Sequence, residues 1–210
     1  MRMHSPLRYA VMSLAVVVAA CGGGGDSTGP KSNQTLGSIT VSPPVISNVA
    51  GVATTITATA LDTEGGVISG VSGFSFSSSD PNVVVSTDGV VIGVAAVTAA
   101  TVTVTLTRGG ITKSATVPVT ITGTLPATAS VTANDQLAFN PKTVAVALGG
   151  SVTWTFQATA HNVTFTGNSS APPNIPNTSN SSKSVTFTTA GNFTYTCTIH
   201  AGMNGLVIVR

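Results

Sequence analysis

Residues 191–205 read G-N-F-T-Y-T-C-T-I-H-A-G-M-N-G, and this stretch decides how the whole chain is interpreted. It opens as a strand in which two aromatic residues and Cys197 alternate with polar residues, so the cysteine faces the same side as the aromatic rings. A short loop then carries His200 and Met203 before the chain returns at Gly205. Because so short a loop folds its side chains over one point, we expect Cys197, His200 and Met203 to lie together.

Cysteine, histidine and methionine are scarce in the rest of the sequence. After the first 20 residues the sequence holds two cysteines (Cys21 and Cys197), two histidines (His161 and His200) and one methionine, Met203. Each of them alone is more often a structural residue. Together, two imidazoles, one thiolate and one weak thioether form the ligand set of a mononuclear blue-copper site. We therefore predict one copper ion, Cu(I) or Cu(II), with His161, Cys197, His200 and Met203 as its ligands.

The N-terminus predicts export. Residues 1–20 combine Arg2 and Arg8 with an apolar run and small residues before Cys21, which is typical of a signal peptide. The run V-A-A-C resembles a bacterial lipoprotein processing box, which implies a lipid attached to Cys21 and a membrane-anchored, exported protein. The alternative is ordinary signal cleavage, which leaves Cys21 as a free thiol. Residues 21–37 are rich in glycine and polar residues and read as a flexible tether.

The charge balance excludes two classes of partner. Without the two arginines of the signal, the chain has six basic and six acidic residues and a formal net charge of zero. It offers no basic patch for nucleic acid and no acidic patch to attract a cationic partner. We also expect no small-molecule substrate.

Residues 38–122 alternate short β-branched runs with turn residues and show no helical periodicity, which predicts an antiparallel sandwich. The run S-S-S-D-P-N-V-V-V-S-T-D-G-V-V-I-G-V resembles the bacterial immunoglobulin-like domains of group 2, with Phe76 where that family usually has tryptophan. The resemblance leaves open a spacer, which we favour, or a module that binds a partner. Residues 123–130 are expected to be a linker.

Residues 131–210 again read as a series of strands, so the predicted fold is all-β with two sandwich domains. The motifs F-N-P-K at 139–142, G-G-S-V-T-W at 149–154, H-N-V at 161–163 and the 191–205 stretch are similar to those of a Greek-key cupredoxin of the plastocyanin and amicyanin type. The resemblance implies the four copper ligands given above. It also implies that Asn162 ties the two ligand loops together by hydrogen bonds.

Two features depart from that family. Ala201 stands where many relatives have proline after the second histidine, and residues 167–183 lack the acidic groups with which plant-type plastocyanins dock their partner. We expect the ring edge of His200 near the surface, with an uncharged rim formed by Gly149, Gly150, Pro172 and Pro173.

The predicted function is one-electron transfer with a protein redox partner that docks weakly and transiently. The alternative is a surface lipoprotein that holds or delivers copper without redox turnover. An enzyme is not expected, because the residues beside Cys197 are Thr196 and Thr198 rather than the histidines that bridge to further coppers in multicopper oxidases.

Overall fold

The computed structural model describes residues 34–210, and these residues form β-structure without helices. The predicted signal peptide and Cys21 lie outside the described residues. Strand β1 begins at Leu36, inside the segment that we expected to be tether. Within the described part of the chain there is no helix long and apolar enough to cross a membrane.

The first nine strands precede residue 123 and pair only among themselves. They form a four-stranded sheet in the order β2-β9-β8-β5, a three-stranded sheet β3-β7-β6 and the pair β1-β4. The strands are β1 Leu36–Ser42, β2 Ile46–Val49, β3 Ala53–Thr55, β4 Thr57–Asp62, β5 Ser75–Ser78, β6 Val83–Val85, β7 Val90–Gly93, β8 Val97–Arg108 and β9 Ile111–Thr122. We call this part, residues 36–122, the N-terminal sandwich.

The other nine strands form a second sandwich, residues 128–210, which we call the C-terminal sandwich. Its sheets run β11-β10-β13-β16 and β12-β18-β17-β14-β15, a non-sequential order of the kind that Greek-key connections give. The strands are β10 Thr128–Asn134, β11 Ala138–Asn140, β12 Thr143–Val146, β13 Ser151–Phe156, β14 His161–Thr166, β15 Ile175–Thr178, β16 Ser181–Thr186, β17 Gly191–Thr196 and β18 Asn204–Val209. The all-β prediction is confirmed. Residues 128–130 of the expected linker are the start of β10.

The core of the C-terminal sandwich follows from strand alternation. On β13 the side chains of Val152, Trp154 and Phe156 are buried, while the threonines between them are more exposed. On β17 the same alternation buries Phe193 and Tyr195, and Cys197 continues that inner face beyond the end of the strand. The cysteine therefore enters the site from the aromatic core, as the sequence predicted.

Trp154 lies at the centre of this core and is completely buried. Its ring meets that of Tyr195 edge-on, with centroids 5.4 Å apart. Tyr195 in turn packs against Phe139 at 4.8 Å. Such edge-to-face pairs add about 0.5–1.5 kcal/mol each beyond the area that they bury. The aromatic cluster thus fixes the strand that leads into Cys197.

Gly205 is where β18 passes closest to this cluster. A Cβ atom on Gly205 would lie 2.4 Å from both the Cζ atom and the hydroxyl oxygen of Tyr195, and 2.9 Å from the carbonyl oxygen of Lys142. The Tyr195 ring is held on several sides, so it has little room to give way.

We therefore predict that Gly205→Ala lowers the free energy of unfolding by about 1–3 kcal/mol, the usual cost of overpacking a core. Urea unfolding followed by Trp154 fluorescence measures the change. Asn204→Ala, at the exposed neighbouring position, is the control and should lower stability much less. Equal effects of the two substitutions would contradict the close approach.

Candidate metal centre

Three metal-ligating side chains meet at one end of the C-terminal sandwich. The Nδ1 atoms of His161 and His200 are 3.0 Å apart. The Cys197 sulfur lies 3.4 Å from Nδ1 of His200 and 3.9 Å from Nδ1 of His161. His161 and Cys197 are buried, whereas His200 is partly exposed. Residues separated by up to 39 positions in the chain therefore present their donor atoms to one point.

The pairing of β14 with β17 brings His161 to Cys197. These strands are antiparallel, with Thr164 opposite Thr196, so the start of β14 lies beside the end of β17. His161 is the first residue of β14 and Cys197 follows the last residue of β17. The proximity of His161 and Cys197 therefore depends on the register in which β14 and β17 pair.

The loop after Cys197 is closed by its own backbone. The amide of Cys197 donates to the carbonyl of Met203 over 2.9 Å, and the same carbonyl accepts the Thr196 hydroxyl at 3.0 Å. The His200 amide donates to the Cys197 carbonyl, and the Met203 amide to the His200 carbonyl, each over 3.3 Å. Met203 is 2% exposed and packs in the same core cluster as Cys197. All four predicted ligands therefore belong to one local structure.

A backbone carbonyl fixes the orientation of the His161 ring. Nε2 of His161 lies 3.1 Å from the carbonyl oxygen of Asn134, which can only accept a hydrogen bond. Nε2 therefore carries the proton as donor, and in the neutral ring Nδ1 keeps its lone pair toward the thiol and the second imidazole.

The turn that supplies this carbonyl is held by side chains that the sequence analysis did not single out. The amide of Asp135 donates to Oε1 of Gln157 over 2.9 Å, and the amide of Thr159 donates to Oδ1 of Asp135 over 2.8 Å. The Thr159 backbone bond is the main reason that the pKa of Asp135 lies below its ordinary value. The Asn134–Asp135 dipeptide is a turn signal in the sequence, but nothing local there indicates that the turn faces His161.

Burial also acts on His161 itself. Desolvation lowers the pKa of its imidazole, and repulsion from His200 lowers it further. The bond to Asn134 and the charge of Asp135 oppose these effects but do not cancel them. The ring is therefore neutral at neutral pH, the state in which Nδ1 can bind a metal.

Asn162 connects the segments that carry His161 and Cys197. Its Oδ1 accepts the amide of Thr198 at 2.8 Å, and its Nδ2 donates to the Thr198 hydroxyl at 2.8 Å. The second Nδ2 hydrogen is donated to Oδ1 of Asn177, on β15, at 3.0 Å. Since Asn162 follows His161 and Thr198 follows Cys197, these bonds hold the two predicted ligands side by side.

The donor atoms fit a metal ion. Metal bonds to imidazole nitrogen and thiolate sulfur of about 2.0–2.3 Å place two ligands of a trigonal or tetrahedral site about 3.3–3.8 Å apart. The observed separations of 3.0, 3.4 and 3.9 Å are close to that range. A soft thiolate with two imidazoles suits copper or zinc, and a weak thioether as fourth ligand favours copper.

The predicted rim around His200 is wrong. The amides of Leu148 and Gly149 donate to the carbonyls of Arg210 and Phe187. Arg210 follows the far end of β18, whose six residues extend about 20 Å from Met203 at the spacing of a strand. Gly149 and Gly150 therefore lie at the opposite end of the sandwich. Pro172 and Pro173 line a separate groove between β15 and β16.

Comparison with known proteins agrees with this geometry. The family model of copper-binding proteins of the plastocyanin/azurin family matches residues 126–210. This part of the chain belongs to the plastocyanin/azurin family. The match begins five residues before the predicted domain start, Val131. Copper is therefore the cofactor of this cupredoxin domain.

Several solved structures are also similar to part of this chain. A point mutant of amicyanin in its reduced Cu(I) form is 31% identical over 40% of this chain and 82% of its own, with a TM-score of 0.36. A mutant plastocyanin of a fern is 26% identical over 39% and 99%, with a TM-score of 0.35. A Cu-containing nitrite reductase from Thermus scotoductus is 20% identical, over half of this chain and 25% of its own, with a TM-score of 0.35. No curated protein matches the chain.

We predict that Asn162→Ala lowers the free energy of unfolding of the copper-free protein by about 1–3 kcal/mol, because the Thr198 groups lose their partly buried partner. It should also speed amide exchange at Thr198. Urea unfolding and hydrogen exchange measure the two effects. Asn177→Ala is the matched control, since Asn177 is exposed and water can replace it. An Asn162 variant no more affected than the control would refute the connection.

Proposed function

We propose that this protein is an exported type 1 (blue) copper protein that carries single electrons, with His161, Cys197, His200 and Met203 as the ligands. The observation that supports it most directly is the meeting of two imidazole nitrogens and one buried thiol within 4.8 Å of one another. When bound, copper supplies a Cu(I)/Cu(II) couple that stores one electron.

The residues of the site are arranged to change little between the two states. The Asn134 carbonyl fixes the His161 ring, and Asn162 and the loop hydrogen bonds fix the segment from Cys197 to Met203. The Cys197 thiol loses its proton when a metal coordinates it. Because these donors are held before the metal arrives, gain or loss of an electron needs little movement of the protein.

His200 is the proposed point of electron exit. It is the most exposed of the three close donors, while His161 and Cys197 are shielded from solvent. Two large apolar side chains are exposed beside the site, Ile199 at 45% next to His200 and Leu137 at 46% in the turn that contacts His161. A small apolar surface without paired charges suits a protein redox partner that docks weakly and leaves quickly.

Catalysis is not part of the proposal. Residues 21–210 contain two histidines, both in this site, so this part of the chain has no further histidine for a second copper centre. Thr196 and Thr198 flank Cys197, where a bridging ligand to further coppers would be needed. Transfer of electrons to another protein requires neither a second metal nor a substrate pocket.

The decisive substitution is Cys197→Ser. The intact protein should bind one copper and absorb intensely in the visible range by charge transfer from the thiolate, with one reversible redox wave in voltammetry. Cys197→Ser should lose both signals, since the oxygen ligand gives no such transition. Cys21→Ser, at the other cysteine, is the matched control and should keep them. A colourless Cu(II) complex of the intact protein would refute the proposal.

The same sample tests the alternative of copper storage or delivery. A carrier of that kind should give up Cu(I) to an added apo-acceptor of moderate affinity and show slow electron exchange. An electron carrier should keep its copper and exchange electrons rapidly.

We further propose that Cys21 carries a lipid and anchors the protein on the exported side of a membrane. The processing box and the glycine-rich tether that follows support this assignment. The wild-type protein should fractionate with membranes, and Cys21→Ala should be soluble or mislocalised with an unchanged copper spectrum. A wild-type protein found wholly in the soluble fraction would exclude the anchor.

A further inference from the structure

Two strands of the C-terminal sandwich are buried on both faces. The side chains of Val144 and Val146 on β12 point into the aromatic core. Ala145, between them, points to the outside of the sheet, yet it is completely buried. On β18 the outward-facing Ile208 is likewise completely buried. A sandwich covers only the inner face of its sheets, so something else covers this outer face.

The N-terminal sandwich covers it. Ala145 and Ile208 share a cluster of buried residues with Ile92 of β7 and with Val94, which are 1% and 6% exposed. On β7 the neighbouring Val91 faces the core of its own sandwich, so Ile92 points away from that core and toward the other sandwich. Partly buried residues surround the cluster: Ala53, Val84, Leu125 and Leu206.

Further contacts surround this apolar cluster. Lys142 forms an ion pair with Asp88, in the turn before β7, although both groups are about half exposed and the pair adds little stability by itself. A Cβ atom on Gly51 would lie 2.6 Å from the ring of Pro126. The described residues, 34–210, accordingly lie within one compact unit.

From these contacts we propose that the N-terminal sandwich is a fixed structural partner of the copper-binding sandwich, and that the two unfold as one cooperative unit. The predicted spacer is then a rigid extension of the copper domain. The interface also touches the strand that leads out of the metal centre. This strand, β18, begins at Asn204, directly after Met203, and packs against the N-terminal sandwich through Leu206 and Ile208. This inference rests on the packing and holds whether or not Met203 binds the metal.

The sequence provides a selective probe of this coupling. Trp154 is the only tryptophan of the chain, and it lies in the core of the C-terminal sandwich. Its fluorescence therefore reports the unfolding of that sandwich alone. A substitution in the N-terminal sandwich changes the Trp154 transition only if the two sandwiches are coupled. The experiment uses copper-free protein, so it does not depend on the proposed function.

The test compares Ile92→Ala with Val45→Ala in otherwise intact protein. Both remove an aliphatic side chain from the N-terminal sandwich, but Ile92 lies in the shared cluster whereas Val45 is 55% exposed. In urea, Ile92→Ala should raise the unfolding equilibrium constant reported by Trp154 at least tenfold. Val45→Ala should leave it nearly unchanged. The double variant Ile92→Ala/Ile208→Ala should lose less unfolding free energy than the sum of the losses in the two single variants.

Hydrogen exchange of the β7 amides shows whether Ile92→Ala has loosened the N-terminal sandwich. With that known, both a shifted and an unshifted Trp154 transition can be interpreted. Faster exchange of the β7 amides in Ile92→Ala would show that the N-terminal sandwich is loosened. If β7 exchanges faster while the Trp154 transition stays at its wild-type position, the sandwiches unfold independently and the proposal is overturned. Additive effects of Ile92→Ala and Ile208→Ala would overturn it as well. Faster exchange of the β7 amides together with a shifted Trp154 transition supports the proposal.

Discussion

The metal centre depends on the hydrogen bonds between the Asn162 amide and Thr198. His161 and Cys197 are 36 positions apart in the chain, and the strands that carry them pair from Thr164 and Thr196 onward, beyond the ligands themselves. Strand pairing therefore brings the two segments together, but its last pair lies short of both His161 and Cys197. Asn162 bridges this gap by donating to the Thr198 hydroxyl and accepting from its amide. An alanine methyl group or an aspartate carboxylate at this position cannot donate one of these hydrogen bonds and accept the other.

Around this bridge, the two histidines predicted as ligands are held in different ways. His161 is completely buried, and a carbonyl fixes its ring from behind. His200 is partly exposed on a loop that is closed by backbone hydrogen bonds. Burial lowers the pKa of His161, which keeps its ring neutral and ready to bind. The buried histidine thus gives the site its fixed geometry, and the partly exposed histidine gives it an edge that solvent can reach.

The sequence predicted the parts of the fold that follow from local pattern. Alternation on β13 and β17 placed the core side chains correctly, and the spacing of Cys197, His200 and Met203 predicted one loop. Contacts between distant segments were not predictable in this way. The turn at Asp135 reaches His161 only through tertiary packing, and the rim assigned to Gly149 failed because strand direction puts that turn at the far end.

The sequence also contains a signal for the interface between the sandwiches, which the alternation of strand residues did not reveal. Residues 206–209 read L-V-I-V, an unbroken apolar run, and a strand buried on both faces reads in this way. An alternating strand would have placed polar residues at Leu206 and Ile208. The first sandwich therefore covers apolar side chains of this run, Leu206 and Ile208, that would otherwise face solvent. The N-terminal sandwich covers this outer face, whereas His200, at the end of the C-terminal sandwich, stays partly exposed. The interface therefore shields one flank of the copper domain and leaves His200 accessible.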